Sequence, residues 1–569
     1  MDIPDLRWWG WGTLDQDYAL DGRPAFWPTL QEWLDLPDEA IEHEIPPVSL
    51  DEISLRPPRL DDPVLSSLHK LLGDGVVRTD KRARVEHAYG KSYRDLIRIR
   101  AGHIPNPPDA VVYPIDQGQV VALLAWATDR DVTVIPFGGG STVLGGVEPP
   151  PGSSPIITLD MARLDRVLAV DPVSRTARIQ AGATGPEVEA QLNEHGFTLG
   201  HLPQSFEFST LGGWIATRSA GQTSIGYGKI EAMTQAVRVV TPVGIIETKD
   251  TPATAAGPGL LEVLVGSEGT YGVITEATMR LRPQPAVRDY RGILFHNLED
   301  GVSAFRDLMQ SPDLHPAIIR LSDAPETAAQ AVLSHEHHGL RRVTDRLIEW
   351  YLNAQEYELT AGTVLMLLGF DGDARWTRRQ WRLALAICGD HRGLSLGRAV
   401  GRSWMRERYA QPYLRDTLLG HRVMVDTLET ATTWSNLMHL YESMVSAMKV
   451  AITGTDGGPG YVMTHISHAY EHGASLYSTF LGRQVPDPDP LARQAQWEVV
   501  KRATTDAILD AGGTLTHHHG IGREHTPWLE EEVGQVGMKA LRRLKSTFDP
   551  TGILNPGILL PPKRGDPYG

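Results

Sequence analysis

The sequence predicts an α+β protein built from more than one domain. Its 569 residues exceed what one hydrophobic core usually holds. Residues 105–285 alternate short apolar strands with helices and set small-residue loops between them. From 286 the glycine signals thin out and longer strands and helices begin, the pattern of a sheet covered by helices. The divisions read from this are an N-terminal arm or helical region (1–104), a first α/β domain (105–285), a second, α/β domain with a mostly antiparallel sheet (286–505), and a C-terminal segment (506–569) returning to the first.

The arm is rich in Trp, Pro and Asp. Pro46-Pro47, Pro57-Pro58 and Pro63 interrupt any periodicity, so it reads as a segment that packs on something else. Next come a strand over 111–113, a helix over 116–128 with Val120, Leu123, Leu124 and Ala127 on one face, and a strand over 132–136. Strands follow over 156–159, 167–170 and 177–180. Thr184 and Glu187 have the spacing of a capping box, and Gly196 is placed to end that helix. Residues 237–246 read as a hairpin turning at Pro242-Val243-Gly244, and 273–281 as a strand. In the second domain, 301–309 and 376–388 are helical, 316–321 is a strand, and 363–370 is a continuous apolar strand fit for burial. Helices over 492–511 and 527–547 frame the last segment.

Composition excludes several functions. Hydrophobic residues make up 41% and charged residues 22%, as in ordinary globular enzymes. A net charge of -16 repels phosphate backbones, so nucleic acid is excluded as a partner. The single cysteine, Cys388, rules out an internal disulfide or a thiolate cluster and reads as a buried, inert thiol. The N-terminus lacks the pattern of a signal peptide, no window suits a membrane span, and the final Asp566-Pro567-Tyr568-Gly569 is not a peroxisomal address. The expected location is cytoplasmic, not secreted, with peripheral membrane contact.

The segment Pro136-Phe137-Gly138-Gly139-Gly140-Ser141-Thr142 directly follows a strand. Three glycines allow positive φ and close backbone approach to a ligand. Successive N–H groups then face one concavity, which binds anions such as a pyrophosphate. By itself such a triplet is more often a tight turn, and it matches neither Gly-x-Gly-x-x-Gly nor the Gly-Lys-Ser/Thr loop. Three further small-residue segments raise the functional reading: 204–213, 217–221 and 266–276.

Four features outside these loops carry chemistry. His517-His518-His519 lies between Gly512-Gly513 and Gly520. In an extended run His517 and His519 would point one way and His518 the other; proton transfer, metal binding and an inert cluster are the open uses. Tyr477 sits in a strand-like run, where a core tyrosine is the plain alternative. Arg415 and Arg320 suit either a salt bridge or a bidentate grip on phosphate.

The loops resemble the FAD-binding domain of the vanillyl-alcohol-oxidase, or PCMH-type, flavoproteins. That resemblance implies a two-subdomain FAD-binding domain beneath a cap domain. It implies FAD contacts at Pro136, Phe137, Gly138, Gly139, Gly140, Ser141 and Thr142; at Gln204, Ser205, Ser209 and Thr210; at Thr217, Arg218, Ser219 and Ala220; and at Glu268, Gly269, Thr270, Gly272, Val273 and Ile274. With neither His nor Cys in 136–142, and His201 the nearest histidine to the second loop, the FAD is expected to be non-covalent.

Together with Arg7-Trp8-Trp9-Gly10-Trp11-Gly12, the stretches 82–100 and 510–523, and the tail 548–557, the four chemical segments resemble one branch of that family, the alkyldihydroxyacetonephosphate synthases. The resemblance implies catalytic roles for Tyr477, Arg320, His517, His518 and His519, and phosphate binding by Arg415. It implies exchange of the acyl chain of acyl-dihydroxyacetone phosphate for a fatty alcohol, with flavin N5 as a covalent electron sink and no net redox. The expected partners are the phosphorylated lipid, the alcohol and a second copy of the chain in a homodimer; no metal is expected. The main rival is a flavin-dependent D-2-hydroxyacid dehydrogenase, which would show Glu-His-Gly in place of His518-His519-Gly520 and a Gly-Asp-Gly-Asn-x-His metal motif. Only His465 and His468 stand as replacement metal ligands. Another flavin oxidase of the same fold is a further alternative.

Overall fold

The computed structural model describes residues 6–73, 75–333 and 362–561. The C-terminal Asp566-Pro567-Tyr568-Gly569, read above for a targeting signal, lies outside them.

The first sheet takes β1 (Val77–Arg78), β2 (Ala110–Val112), β3 (Thr133–Phe137) and β4 (Ile156–Asp160) in the order β1-β2-β4-β3. β2, β4 and β3 run parallel, which requires crossover connections. The helix Gln117–Arg130 supplies one, with Asp116 accepting the Gln119 N–H at 2.9 Å as its N-cap. Its Val120, Leu123, Leu124 and Ala127 pack into the core above these strands. β1 comes from the N-terminal arm and pairs antiparallel with β2. The C-terminal tail closes the opposite edge, where the Val134 N–H donates to Ile553 O at 2.9 Å.

The second sheet is antiparallel. Its strands β5 (Val167–Asp171), β6 (Thr176–Gln180), β7 (Thr234–Thr241), β8 (Gly244–Glu247) and β9 (Val273–Arg280) lie in the order β5-β6-β9-β7-β8. Thr184 and Glu187 form the capping box that opens helix Gly185–Asn193.

The third sheet has seven antiparallel strands: β10 (Val287–Phe295), β11 (Ile318–Ser322), β12 (Val364–Gly372), β13 (Leu394–Gly397), β14 (Val423–Thr433), β15 (Tyr461–Ala469) and β16 (Gly473–Arg483). Their order is β13-β10-β12-β11-β15-β16-β14. The continuous apolar run 363–370 is an inner strand of it, β12, flanked by β10 and β11. Helices Leu298–Gln310, Ala374–Asp390, Leu437–Gly454 and Pro490–Asp510 contribute to the same core. Cys388 lies buried within it, and burial pushes its thiol up to about 12, the inert state expected.

The arm is more helical than its prolines suggest. It forms Phe26–Leu34, Asp38–Glu42, Asp62–Leu72, Lys81–Glu86 and Tyr93–Arg100. These helices are short, and Tyr93–Arg100 buries Asp95 and Arg98 as well as Leu96, Ile97 and Ile99. Their shortness and the prolines set between them leave too few turns for the helical period to show in the sequence.

Candidate active site

The small-residue loops converge on one cavity of about 500 Å³ that runs between the first two sheets and the third. Gly139 is the tightest point: a Cβ there would strike the backbone carbonyl of Phe208, so segments 136–142 and 204–210 meet backbone to backbone. Gly140 holds a φ of 61° against the Phe137 ring, a conformation glycine adopts without cost. The N–H groups of Gly139, Gly140 and Ser141 donate to no acceptor among the described residues, so they remain available to an anion. The pyrophosphate of FAD fits this donor set.

Most of the expected contacts line that cavity: Pro136 to Thr142, Gln204, Ser205, Ser209, Thr210, Thr217, Ser219, Ala220, Glu268, Gly269, Gly272, Val273 and Ile274. Two expected contacts do not. Arg218 takes a left-handed φ of 54° at the end of helix Leu211–Thr217, and its guanidinium donates to Val265 O at 3.2 Å and Glu262 O at 3.3 Å. Thr270 donates to Ile558 O at 3.1 Å and so anchors the C-terminal tail. Asn555, in the tail 548–557 but given no role there, joins the cavity wall by donating to Gly146 O at 3.1 Å and Glu268 O at 2.7 Å.

The opposite wall is set by strand register. Tyr477 on β16 pairs with Glu429 on β14 and with His465 on β15. The next row toward the far end is Thr427, Thr479 and Met463, and the one after is Val425, Leu481 and Tyr461. Side chains two residues apart share a face, so these nine form one surface with rows roughly 6–7 Å apart. It grades from polar to apolar. Helix Phe26–Leu34 presents Phe26, Leu30 and Trp33 to the cavity, and Trp33 stacks on Tyr461 at 3.8 Å.

Glu429 organises the histidines, and no local motif marks it. Its carboxylate accepts from the N–H groups of His517 (2.7 Å), His518 (3.1 Å) and His519 (3.0 Å) and from the Thr516 hydroxyl (2.5 Å). Burial would raise this acid; the neighbouring His518 and His519 imidazoles and the converging donors hold it well below the usual carboxylate range. Drawing three successive N–H groups to one carboxylate curls the chain, and this overturns the alternation expected of an extended run. His518 and His519 both line the cavity, while His517 turns away and bonds through Nε2 to the Tyr470 hydroxyl at 2.6 Å. Tyr477 lies with its ring centre 5.5 Å from that of His519 and 5.9 Å from that of His518, and stacks on His465 at 5.0 Å. Burial pushes its phenol up to about 12 and pushes His519 down to about 3.

The two arginines have different fates. Arg320 is ion-paired with Glu326, and its NH2 also lies 3.1 Å from His465 Nδ1. Burial would raise Glu326, but the Arg320 guanidinium holds it down at about 2. Arg415 lines the cavity and donates NH1 only to the backbone O of Lys91, at 2.8 Å. No carboxylate stands within ion-pair distance of it among the described residues. On the other side of the triplet, His468, His517 and His518 each bring one nitrogen within 4.8 Å of the others; of the two replacement ligands considered above, only His468 belongs to this group.

Residues 108–249 match the family model described as an FAD binding domain, and residues 284–559 that of FAD linked oxidases, C-terminal domain. The alkyldihydroxyacetonephosphate synthase of Dictyostelium discoideum is 36% identical over 542 residues, covering 95% of this chain and 88% of its own. Its counterpart from Trypanosoma brucei brucei is 36% identical over 509 residues, covering 89% and 82%. A solved alkyldihydroxyacetonephosphate synthase superposes with a TM-score of 0.83 at 32% identity, covering 98% of each chain. A 4-ethylphenol oxidase from Gulosibacter chungangensis shares the fold at a TM-score of 0.64 and 14% identity, over 91% of this chain and 99% of that one. With FAD as its cofactor, the chain belongs to the alkyldihydroxyacetonephosphate synthase family.

Proposed function

We propose that the protein exchanges the acyl chain of an acyl-dihydroxyacetone phosphate for a fatty alcohol, without net redox. The observation that carries this is the graded face of the third sheet. A row with Tyr477, His465 and the adjacent imidazoles lies beside an unpaired guanidinium and runs on into an apolar arm. A phosphorylated head group with a hydrocarbon tail matches that gradient.

The cavity-lining residues of 136–142, 204–210, 217–220 and 268–274 would hold FAD, non-covalently. Cys388 is buried in the cap core, and His201 Nε2 is engaged with Ser219 Oγ at 3.2 Å. Bound FAD supplies an electron-accepting ring for the substrate carbon beside the carbonyl. Arg415 grips the phosphate, and Arg320, fixed by Glu326, supports His465 next to Tyr477. Tyr477 keeps its proton at neutral pH, so it removes a substrate proton only by passing its own to an adjacent imidazole, and His519, which burial holds neutral, is placed to take it. Glu429 holds His518 and His519 toward the cavity. The acyl group leaves as a carboxylate as its bond to the substrate carbon breaks; the alcohol oxygen forms the new bond, and its proton balances the one relayed. The apolar arm takes the chain. Peripheral membrane docking fits this reading, because a lipid substrate is met at a bilayer surface, and a cytoplasmic homodimer is proposed with it; no described helix is long and apolar enough to cross a bilayer.

Incubating the yellow holoenzyme with palmitoyl-dihydroxyacetone phosphate and hexadecanol should give the alkyl product by mass spectrometry. The second reading, D-2-hydroxyacid oxidation, draws on the nitrogens of His468, His517 and His518. Flavin bleaching by D-lactate, abolished by a chelator and with no alkyl product, would overturn the first reading in its favour.

A further inference from the structure

We infer that Lys91 is a second cation for the substrate phosphate, acting with Arg415 as a two-point site for a phosphate dianion. This rests on the phosphate-bearing substrate proposed above. Lys91 lines the cavity, and its backbone is fixed on both sides. Its N–H donates to Thr142 O at 2.7 Å, and its carbonyl accepts from Arg415 NH1 at 2.8 Å. The second bond sets the Arg415 guanidinium against the Lys91 backbone, and both residues line the same cavity. The Lys91 Nζ reaches the backbone carbonyls of Arg7 (3.1 Å) and Trp8 (3.5 Å) in the N-terminal strap. An ammonium has three donors, so one remains. Carbonyl oxygens bring no neutralising charge, and no carboxylate lies within ion-pair distance of Lys91 among the described residues.

Two neighbouring cations in a partly dry wall repel each other, and an anion relieves this. Burial pushes the Lys91 ammonium down to about 8, and Arg415 adds to that, against a pull upward from Asp416. Asp416 stands beyond ion-pair distance of both cations among the described residues, with its Oδ2 accepting the Trp11 N–H at 2.6 Å. The pairing of a planar fork with a point charge suits phosphate, which offers several oxygens at once. The bond to Thr142 also sets Lys91 beside the glycine loop, so the FAD pyrophosphate is the other source of the same chemistry.

The test measures flavin content and the binding of inorganic phosphate and of dihydroxyacetone phosphate to the holoenzyme by calorimetry. Lys91→Gln should keep its flavin and bind both ligands about tenfold more weakly, the scale of one lost charge-assisted hydrogen bond. Lys91→Arg should recover most of that loss. Loss of flavin with unchanged phosphate binding would overturn the inference and assign Lys91 to the pyrophosphate; unchanged flavin and binding would overturn it outright. Should the glutamine variant not fold, an amine-reactive label on wild-type holoenzyme decides. Phosphate should slow labelling of Lys91, read by peptide mass, and an unchanged rate contradicts the site. If Lys91 answers as stated while no alkyl product forms, the anion site stands and the proposed reaction falls.

Discussion

In the flavin cradle, the groups that each loop turns to the cavity are neighbours in sequence. Gly139, Gly140 and Ser141 offer successive N–H groups from one loop, and Gly139 is packed against the Phe208 carbonyl of the next. On the cap face the opposite holds. Glu429, Tyr477 and His465 meet only because three strands keep register, and His518 and His519 arrive from the far end of the chain to be held by Glu429. The cradle is therefore a local, backbone-built ligand site, and the cap face a long-range, side-chain-built reaction surface. Damage to the first should remove the cofactor; damage to the second should leave the protein yellow and slow.

The largest expected effect is on the cap side. Tyr477→Phe should retain FAD and lose about 100-fold or more of the alkyl exchange rate, the usual worth of a positioned acid–base group. Full turnover would refute its role. Next is the cradle: Gly139→Ala should drive a backbone clash at Phe208 and empty the flavin site, read as a fallen ratio of visible to ultraviolet absorbance. Retention of full flavin would show the two loops to be independent. Glu429→Gln keeps the shape but removes the charge that four donors converge on. It should cost about 2–3 kcal/mol of stability by denaturant titration and reduce exchange with flavin still bound.

A smaller effect concerns acid stability. The carboxyl of Glu326 sits below its unfolded value, so its contribution is full above the ordinary carboxylate range and is lost as pH falls toward about 2. Glu326→Gln should be less stable at neutral pH and lose less stability across that acid window than wild type, measured by unfolding at stepped pH. Parallel curves would contradict the Arg320 pairing. Smallest is Trp33→Ala. Removing the ring stacked on Tyr461 should lengthen the apolar arm and shift preference toward longer alcohols by about tenfold, the low end of what a methylene is worth in a hydrophobic pocket.

The same contrast explains what could be read in the sequence. The glycine segments, the Thr184–Glu187 box and the apolar strand 363–370 carry their signal locally, and each stands where the pattern put it. Arg218 and Thr270 sit inside those loops yet point elsewhere, because a loop motif fixes the backbone without fixing which side chains turn inward. Tyr477 and Arg415 were legible only through resemblance. Glu429 was not legible at all: it is one polar residue in a strand of mixed polarity, and its importance comes from facing Tyr477 across the sheet. Glu326 is silent in the same way, and Lys91 lies in the stretch 82–100, which the resemblance marks without giving this side chain a role. The curl of His517 to His519 could not be foreseen without the carboxylate that causes it.

The claim that the cap face runs an exchange, and that the bound flavin is neither consumed nor reoxidised, is tested most directly by turnover without oxygen or any electron acceptor. Holoenzyme given palmitoyl-dihydroxyacetone phosphate and hexadecanol in sealed anaerobic cuvettes should make alkyl product over many turnovers at its aerobic rate and end with the oxidised flavin spectrum. A single burst of product followed by a persistently bleached flavin would contradict the account.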